Sequence, residues 1–292
     1  MKRSIVKEGQ IVKIVANRYT VAGDGKVYTA FARGRLRLGE DIFVGDMVEF
    51  EVQKPLSVIC RVLPRKNKLI RPYVANIDKA IIVIAKEPEP DLLLLDKILL
   101  NCYKEGIDPV ICYNKTDLAG PEEIENTLKP YKEFAETVKV SSLTGENIEE
   151  LGRMIEGSLA CLAGQSAVGK TSILNSLAGL SLKTDELSQR IKRGKNTTRH
   201  VEIFEAAGGR IADTCGFSML ETVELEPGEL IYYYPEFLPL QNKCKYKSCT
   251  HTAEPDCAVK EALKEGGVDK GRYERYTFIY NELKEFWDKK YE

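Results

Sequence analysis

Between residues 9 and 63, apolar positions come in short alternating runs broken by turn residues. Ile11, Val12, Ile14 and Val15 open the first run, and Arg18 to Val21 suits a second strand. Gly23-Asp24-Gly25 is a turn signal, and Lys26 to Ala32 and Asp46 to Val52 alternate again. A period of two buries one face of a strand, and no helical period interrupts it. About five strands in about sixty residues predict a small barrel, most simply of oligonucleotide-binding (OB) type. An SH3-like barrel is the runner-up, since pattern alone does not separate the two.

Near Leu69 the pattern changes. Lys79 to Ala85 is a continuous apolar run, as expected of a parallel strand buried on both faces. Asp91 can cap a helix that carries Leu92, Leu95, Ile98, Leu99 and Cys102 at helical spacing. Pro109 to Tyr113 reads as the next strand, followed by a helix, a short strand at Val138 to Val140 and a helix over Ile148 to Ile155. Leu159 to Ala163 reads as a strand, Lys170 to Ala178 as a helix, and Arg210 to Ala212 as a further strand. Strands alternating with helices predict a mainly parallel, doubly wound sheet. Beyond about Glu226 the chain becomes aromatic, then Cys-containing, then helical. Tyr273, Tyr276, Tyr280, Leu283 and Trp287 form one stripe of a closing helix, read as packing surface.

Composition narrows the class without identifying it. A chain of 292 residues exceeds one average domain. Its apolar runs are too short to span a bilayer. Met1 to Glu8 has no apolar core and does not read as a secretory signal. These features predict a cytoplasmic protein with no membrane partner, in which the eight Cys serve as thiols or metal ligands. Net charge is -1, yet residues 1 to 70 carry 14 basic and seven acidic side chains. That asymmetry hints weakly at a polyanionic partner.

Two motifs point to a nucleotide, and their order is informative. Gly164-Gln165-Ser166-Ala167-Val168-Gly169-Lys170-Thr171, with Ser172 following, reads GxxxxGKT between a strand and a helix. Its glycines let backbone N–H groups face phosphate oxygens; Lys170 is placed for the β- and γ-phosphates and Thr171 for Mg²⁺. Asn114-Lys115-Thr116-Asp117 reads NKxD at a strand's carboxyl end. Two oxygens of Asp117 match the adjacent N1–H and N2–H₂ donors of guanine, which adenine lacks. Asn114 is expected to brace the loop and approach N7, and the Lys115 stem to cover the base. Ser141 and Ser142, after a short strand, fit a second guanine loop with the Ser142 N–H on O6. Asp213-Thr214-Cys215-Gly216 reads DxxG, with Asp213 on Mg²⁺ through water and Gly216 on the γ-phosphate. Thr197 or Thr198, in the basic stretch Lys192 to His200, is the candidate for a Thr that ligates Mg²⁺ only beside a γ-phosphate. In an ordinary GTPase the phosphate loop precedes NKxD; here NKxD comes first. Only Phe217 to about Glu226 then separates DxxG from the C-terminal region, an arrangement expected to couple the nucleotide state to it.

Cys244-x4-Cys249-x-His251-x5-Cys257 supplies three thiolates and an imidazole, a complete set for one structural zinc. Lys243, Lys245, Tyr246 and Lys247 lie nearby and can favour thiolates or touch phosphate. Cys60, Cys102, Cys112 and Cys161 sit in apolar runs and read as packing residues.

Together these segments resemble the circularly permuted GTPases, most closely the small-ribosomal-subunit-dependent GTPase A family, over essentially the whole chain. The resemblance implies three domains: an RNA-binding OB-type barrel at 1–68, a circularly permuted α/β P-loop GTPase at 69–226, and a mainly α zinc-binding module at 227–292. It implies a monomer that hydrolyses GTP to GDP with Mg²⁺, binds the small ribosomal subunit and its rRNA late in assembly, and is stimulated by it. The chain departs from the family's pattern at Cys215, where Pro is usual, at Asn196, where His is frequent, and at Ala167, where Gly is usual. Phe217, which follows the DxxG glycine, is shared with the family; it cannot hydrogen-bond water, so slow intrinsic hydrolysis is expected. The alternatives are a GTP-dependent switch acting on non-ribosomal RNA and a metabolic nucleotide enzyme with the barrel as substrate domain.

Overall fold

A computed structural model describes residues 5–34, 41–69, 73–180, 201–214 and 225–291. Thr197, Thr198, Asn196, Cys215, Gly216 and Phe217 lie outside the described residues, as do the stretch from Lys192 to His200 and most of the link to Glu226.

The barrel is built from β1 (Ile5–Val15), β2 (Arg18–Gly23), β3 (Lys26–Ala32), β4 (Met47–Val52) and β5 (Ser57–Val62). β1 does two jobs. Ile5 to Gln10 pair with β4, and Gln10 to Val15 pair with β2, with a bulge between Ile11 and Lys13. A bulge bends its strand, and here the bend lets one strand close the barrel on both sides. β3 runs parallel to β5, which is antiparallel to β4, giving the closed order β1-β2-β3-β5-β4-β1. That topology resolves the choice the pattern left open in favour of the OB barrel. Ile11, Val21, Ala30, Val48, Phe50 and Ile59 fill its interior.

The short strands β6 (Lys68–Leu69) and β7 (Val74–Ala75) lead into β8 (Lys79–Ala85), β9 (Asp108–Asn114), β10 (Glu136–Lys139), β11 (Leu159–Ala163), β12 (Val201–Ala206) and β13 (Gly209–Thr214). The sheet order is β10-β9-β8-β11-β13-β12; all neighbours are parallel except the β12–β13 hairpin. The unbroken apolar run of β8 is explained by its two faces. Ala80, Ile82 and Ile84 enter one core with Leu95, Ile98 and Ile111. Ile81, Val83 and Ala85 enter the other with Leu151, Ile173 and Leu174. Each fully buried Ile or Leu contributes roughly 1.5–3 kcal/mol. The helices are α1 (Leu92–Glu105), α2 (Pro121–Leu128), α3 (Ile148–Met154) and α4 (Lys170–Ala178).

β12 was not expected from the pattern. It pairs with β13 on one side and meets β1 of the barrel at Lys13 and Glu202 on the other, so barrel and central sheet form one continuous 11-stranded sheet.

The C-terminal region is helical: a 3₁₀ segment at Pro227–Tyr233, then α5 (Leu238–Gln241), α6 (Ala258–Lys264) and α7 (Lys270–Tyr291). Tyr276, Ile279 and Leu283 of α7 are buried against Leu230, Tyr234 and Phe237, so the aromatic stripe packs as expected. Cys102, Cys112 and Cys161 are buried, as expected, and burial pushes the Cys161 thiol up to about 12. Cys60 differs. Beyond Ile59, β5 turns toward solvent, and Cys60 is half-buried beside Glu51 and Arg33.

Candidate nucleotide site and metal site

Loops after β8, β9, β10 and β11 converge at the carboxyl edge of the parallel strands, where a doubly wound sheet binds ligands. The loop from Gly164 to Gly169 links β11 to α4. Gly164 has φ +116°, and a Cβ there would lie 2.2 Å from the Val83 carbonyl oxygen. Gly169 has φ +98°, and a Cβ there would lie 2.3 Å from Asn114 Nδ2. Both glycines are therefore required by backbone shape and by close approach. Ala167 also adopts a positive φ, +65°, at the position where the resemblance leads one to expect Gly.

Asn114 is the keystone. It is fully buried at the end of β9; its Nδ2 donates to Val168 O at 2.9 Å, and its Oδ1 accepts from Ser142 N–H at 3.1 Å. One side chain thus joins the phosphate loop to the Ser141–Ser142 loop. Lys115 Nζ donates to Ala167 O at 2.9 Å and to Glu87 O at 2.6 Å, laying its stem across the loop. The Ser141 hydroxyl donates to Asp117 Oδ1 at 2.6 Å and orients the carboxylate. Each carboxylate oxygen has two lone pairs, so Asp117 retains acceptors for a base.

Lys170 begins α4, and its ammonium donates to Gly164 O at 2.7 Å and to Gln165 O, within the curl of the loop. Thr171 and Ser172 follow in the first helical turn. Val168 is buried in the second core, which anchors the loop, while Ser166 and Ala167 are exposed. Asp213 is half-buried near the end of β13, beside the strand that feeds the loop.

Two residues of the motifs direct their side chains to neighbouring segments. Thr116 Oγ1 donates to Glu146 Oε2 at 2.7 Å, and so fastens the NKxD turn to the following loop. The Gln165 amide bonds to the segment that precedes α1. It donates from Nε2 to Glu89 O at 3.1 Å and accepts at Oε1 from Asp91 N–H at 2.9 Å. No pattern in the sequence singled out Glu87, Glu89 or Glu146, because their roles use backbone carbonyls or one distant pair.

The second site lies in the C-terminal region. The ligand atoms of Cys244, Cys249, His251 and Cys257 all lie within 4.8 Å of one another. His251 Nδ1 lies 3.5 Å from Cys244 Sγ and 3.2 Å from Cys257 Sγ. A tetrahedral ion with thiolate bonds of about 2.3 Å spaces its sulfurs about 3.8 Å apart, so this cluster can hold one. The donor set fits as well. Burial lowers the His251 pKa, which keeps its imidazole neutral, and burial pushes the Cys249 thiol up to about 12, a cost that a bound cation offsets. The Tyr273 hydroxyl donates to His251 O and the Tyr276 hydroxyl to Thr250 O, both at 2.7 Å, so α7 holds the loop that carries His251.

α7 also carries an ion cluster that sequence reading missed. Asp96 of α1, fully buried, accepts from Arg272 Nη1 at 2.7 Å, Arg275 Nε at 2.5 Å and the Tyr131 hydroxyl at 2.9 Å. Arg272 also meets Glu236 at 2.7 Å and lies over the Tyr131, Phe134 and Tyr234 rings. Among the described residues, no helix is long and apolar enough to cross a membrane.

The chain matches known proteins along its length. A family model described as RsgA GTPase matches residues 62–223, and one described as RsgA N-terminal domain matches residues 8–57. The small ribosomal subunit biogenesis GTPase RsgA of Caldanaerobacter subterraneus subsp. tengcongensis is 41% identical over 290 residues, covering 97% of this chain and 98% of that one. The crystal structure of YjeQ from Thermotoga maritima superposes with a TM-score of 0.84 at 35% identity, covering 96% of this chain and 99% of that one. That of YloQ, described as a circularly permuted GTPase, gives 0.80 at 29% identity over 98% of both chains.

Proposed function

This chain belongs to the RsgA GTPase family, and from that premise we propose how its site works. It is a circularly permuted GTPase that hydrolyses GTP and acts in maturation of the small ribosomal subunit. The observation that carries the site assignment is Asn114, which joins the guanine-reading loops to the phosphate loop although their order along the chain is reversed.

In our reading, Asp117 and the Ser142 N–H select guanine, with the Lys115 stem against the base. Backbone N–H groups from Gln165 to Lys170 and the Lys170 ammonium hold the phosphates. Thr171 and, through water, Asp213 hold Mg²⁺, which offsets charge developing on the γ-phosphate. Thr198 and Gly216 sense that phosphate. Phe217 supplies no hydrogen bond to water, which assigns the missing stimulation to the partner, the small subunit and its rRNA. Cys244, Cys249, His251 and Cys257 hold one zinc per chain as a structural ion. The boundaries 1–68, 69–226 and 227–292, a monomeric state, a cytoplasmic location and the lack of a membrane partner complete the proposal.

The test is the GTP hydrolysis rate of the purified chain alone, with small ribosomal subunits, and with free RNA of matched phosphate concentration. Stimulation by subunits well above that by free RNA is expected. Equal stimulation by free RNA favours a switch acting on other RNA, and stimulation by neither removes the ribosomal reading.

A further inference from the structure

We propose that Gln165 is a positioning residue whose side chain fixes the phosphate loop to the start of α1 and, through α1, to the metal-bearing module. The inference rests on reading residues 164–171 as the phosphate loop.

A phosphate loop needs only backbone N–H groups at the Gln165 position. Here the side chain makes two hydrogen bonds to a different segment, from Nε2 to Glu89 O and to Oε1 from Asp91 N–H. Asp91 is also the N-cap of α1, where its carboxylate accepts from Leu94 N–H at 2.9 Å. Lys115 ties Glu87 O of the same segment to Ala167 O. Beneath this strap, Ile82, Ile84, Leu94, Leu95 and Ile98 line, together with Gly164, a space too small to admit a water molecule. Asp96, in the second turn of the same helix, holds Arg272 and Arg275 of α7. Between and beside those arginines, Tyr273 and Tyr276 hold the carbonyls of His251 and Thr250. Loop, helix, ion cluster and metal loop are thus linked by successive hydrogen bonds and ion pairs. This route does not use the DxxG segment.

Spatial continuity alone does not demonstrate coupling, so the test reads energy and protection directly. The full chain is titrated with GDP, and hydrogen exchange is followed in α7 and in residues 244–257. In the wild type, saturating GDP is expected to slow exchange there by about 5-fold, the lower end of typical coupling. At saturating GDP, Gln165→Ala is expected to lose most of that response. Gln165→Glu keeps the acceptor for Asp91 N–H but not the donor to Glu89 O, and is expected to fall between. Any other order, or no GDP response in the wild type, overturns the proposal. A double-mutant cycle of Gln165→Ala with Arg275→Met gives the second readout. On one path, the double variant weakens GDP binding no more than the worse single variant. Fold-changes that multiply show independence and overturn the proposal. Arg275→Lys, which keeps the charge on Asp96, is expected to restore the exchange response; failure to do so while the fold is retained also overturns it. Lys170→Ala is the control for the underlying reading. Wild-type GDP affinity in that variant removes the phosphate-loop assignment itself, a result distinct from every outcome above.

Discussion

Ala167 offers a perturbation whose sign can be worked out beforehand. Its φ is +65°, and its side chain is exposed, so its Cβ contributes little packing to offset the conformation. An L-residue in the left-handed region costs roughly 1–2 kcal/mol, which glycine avoids. Ala167→Gly also adds freedom to the unfolded chain, worth roughly 0.4–1 kcal/mol in the opposite direction. The difference predicts a net gain of about 0.5–1 kcal/mol, or about 1–4 °C in the melting temperature of the domain. Nucleotide affinity is a separate matter. Lys115 donates to the carbonyl of Ala167 itself and Asn114 to that of Val168, so the loop is held in shape without ligand. The strain is then equal in free and bound states, and GDP affinity is expected to change by less than about 2-fold, or about 0.4 kcal/mol. Calorimetric unfolding of both chains, with isothermal titration of GDP into each, measures the two quantities. A lower melting temperature in the variant contradicts the assigned backbone. An unchanged melting temperature with GDP bound about 2- to 5-fold more tightly, about 0.5–1 kcal/mol, shows that the loop leaves the left-handed region when empty and that Ala167 pays the strain only on binding.

Other substitutions probe the remaining parts. Asp117→Asn replaces the acceptor of two guanine donors and is expected to cost about 3 kcal/mol or more in GTP binding while gaining xanthosine triphosphate; unchanged GTP affinity refutes the assignment. Lys170→Ala is expected to lose at least ~1.5 kcal/mol of binding or transition-state stabilisation, and wild-type turnover at low GTP would count against its role. Elemental analysis of protein prepared without chelators is expected to find one zinc per chain, and Cys249→Ala to unfold the C-terminal module in a chain that still binds GTP. Asp96→Ala removes the carboxylate that Arg272 and Arg275 share, leaving Glu236 on Arg272, and is expected to cost about 3–5 kcal/mol by denaturant titration. A loss below about 1 kcal/mol would show that water or a rearranged Glu236 replaces it.

Much of the fold was legible because it rests on period and local chemistry. The two-sided apolar run of β8, the Asp91 cap and the glycines of the phosphate loop each state a local requirement that the structure meets. The choice of barrel was not legible, because it turns on β3 running parallel to β5, a pairing with no local signature. β12 was missed although a signal existed. Ala207 and Gly208, both at positive φ, make the tight turn between Ala206 and Gly209, and two adjacent glycines there mark a hairpin. The polar stretch before Val201 obscured its alternation. The Asp96 cluster joins residues more than 170 positions apart, and single-sequence reading has no access to such a pair. The Tyr273 and Tyr276 rings were correctly read as packing, but where their hydroxyls bond depends on a loop whose shape only the tertiary structure supplies.

The permuted order gives these attachments their meaning. In the usual order, the chain would enter the sheet at the strand before the phosphate loop. Here it enters at β8 and leaves after β13, beside the DxxG segment. The barrel adjoins the entry side and reaches back to β12, where Lys13 pairs with Glu202 at 2.7 Å and Gln10 accepts from Arg210 of β13. The C-terminal helical module follows the exit and reaches back to α1 through Arg272 and Arg275. β12 and β13 lie between the candidate γ-phosphate-sensing segments, and α1 begins where Gln165 holds it. Each added module is therefore fastened to an element next to the nucleotide loops as well as to a chain end. With two attachments per module, a change at the nucleotide loops would act on an angle between bodies rather than on a tether.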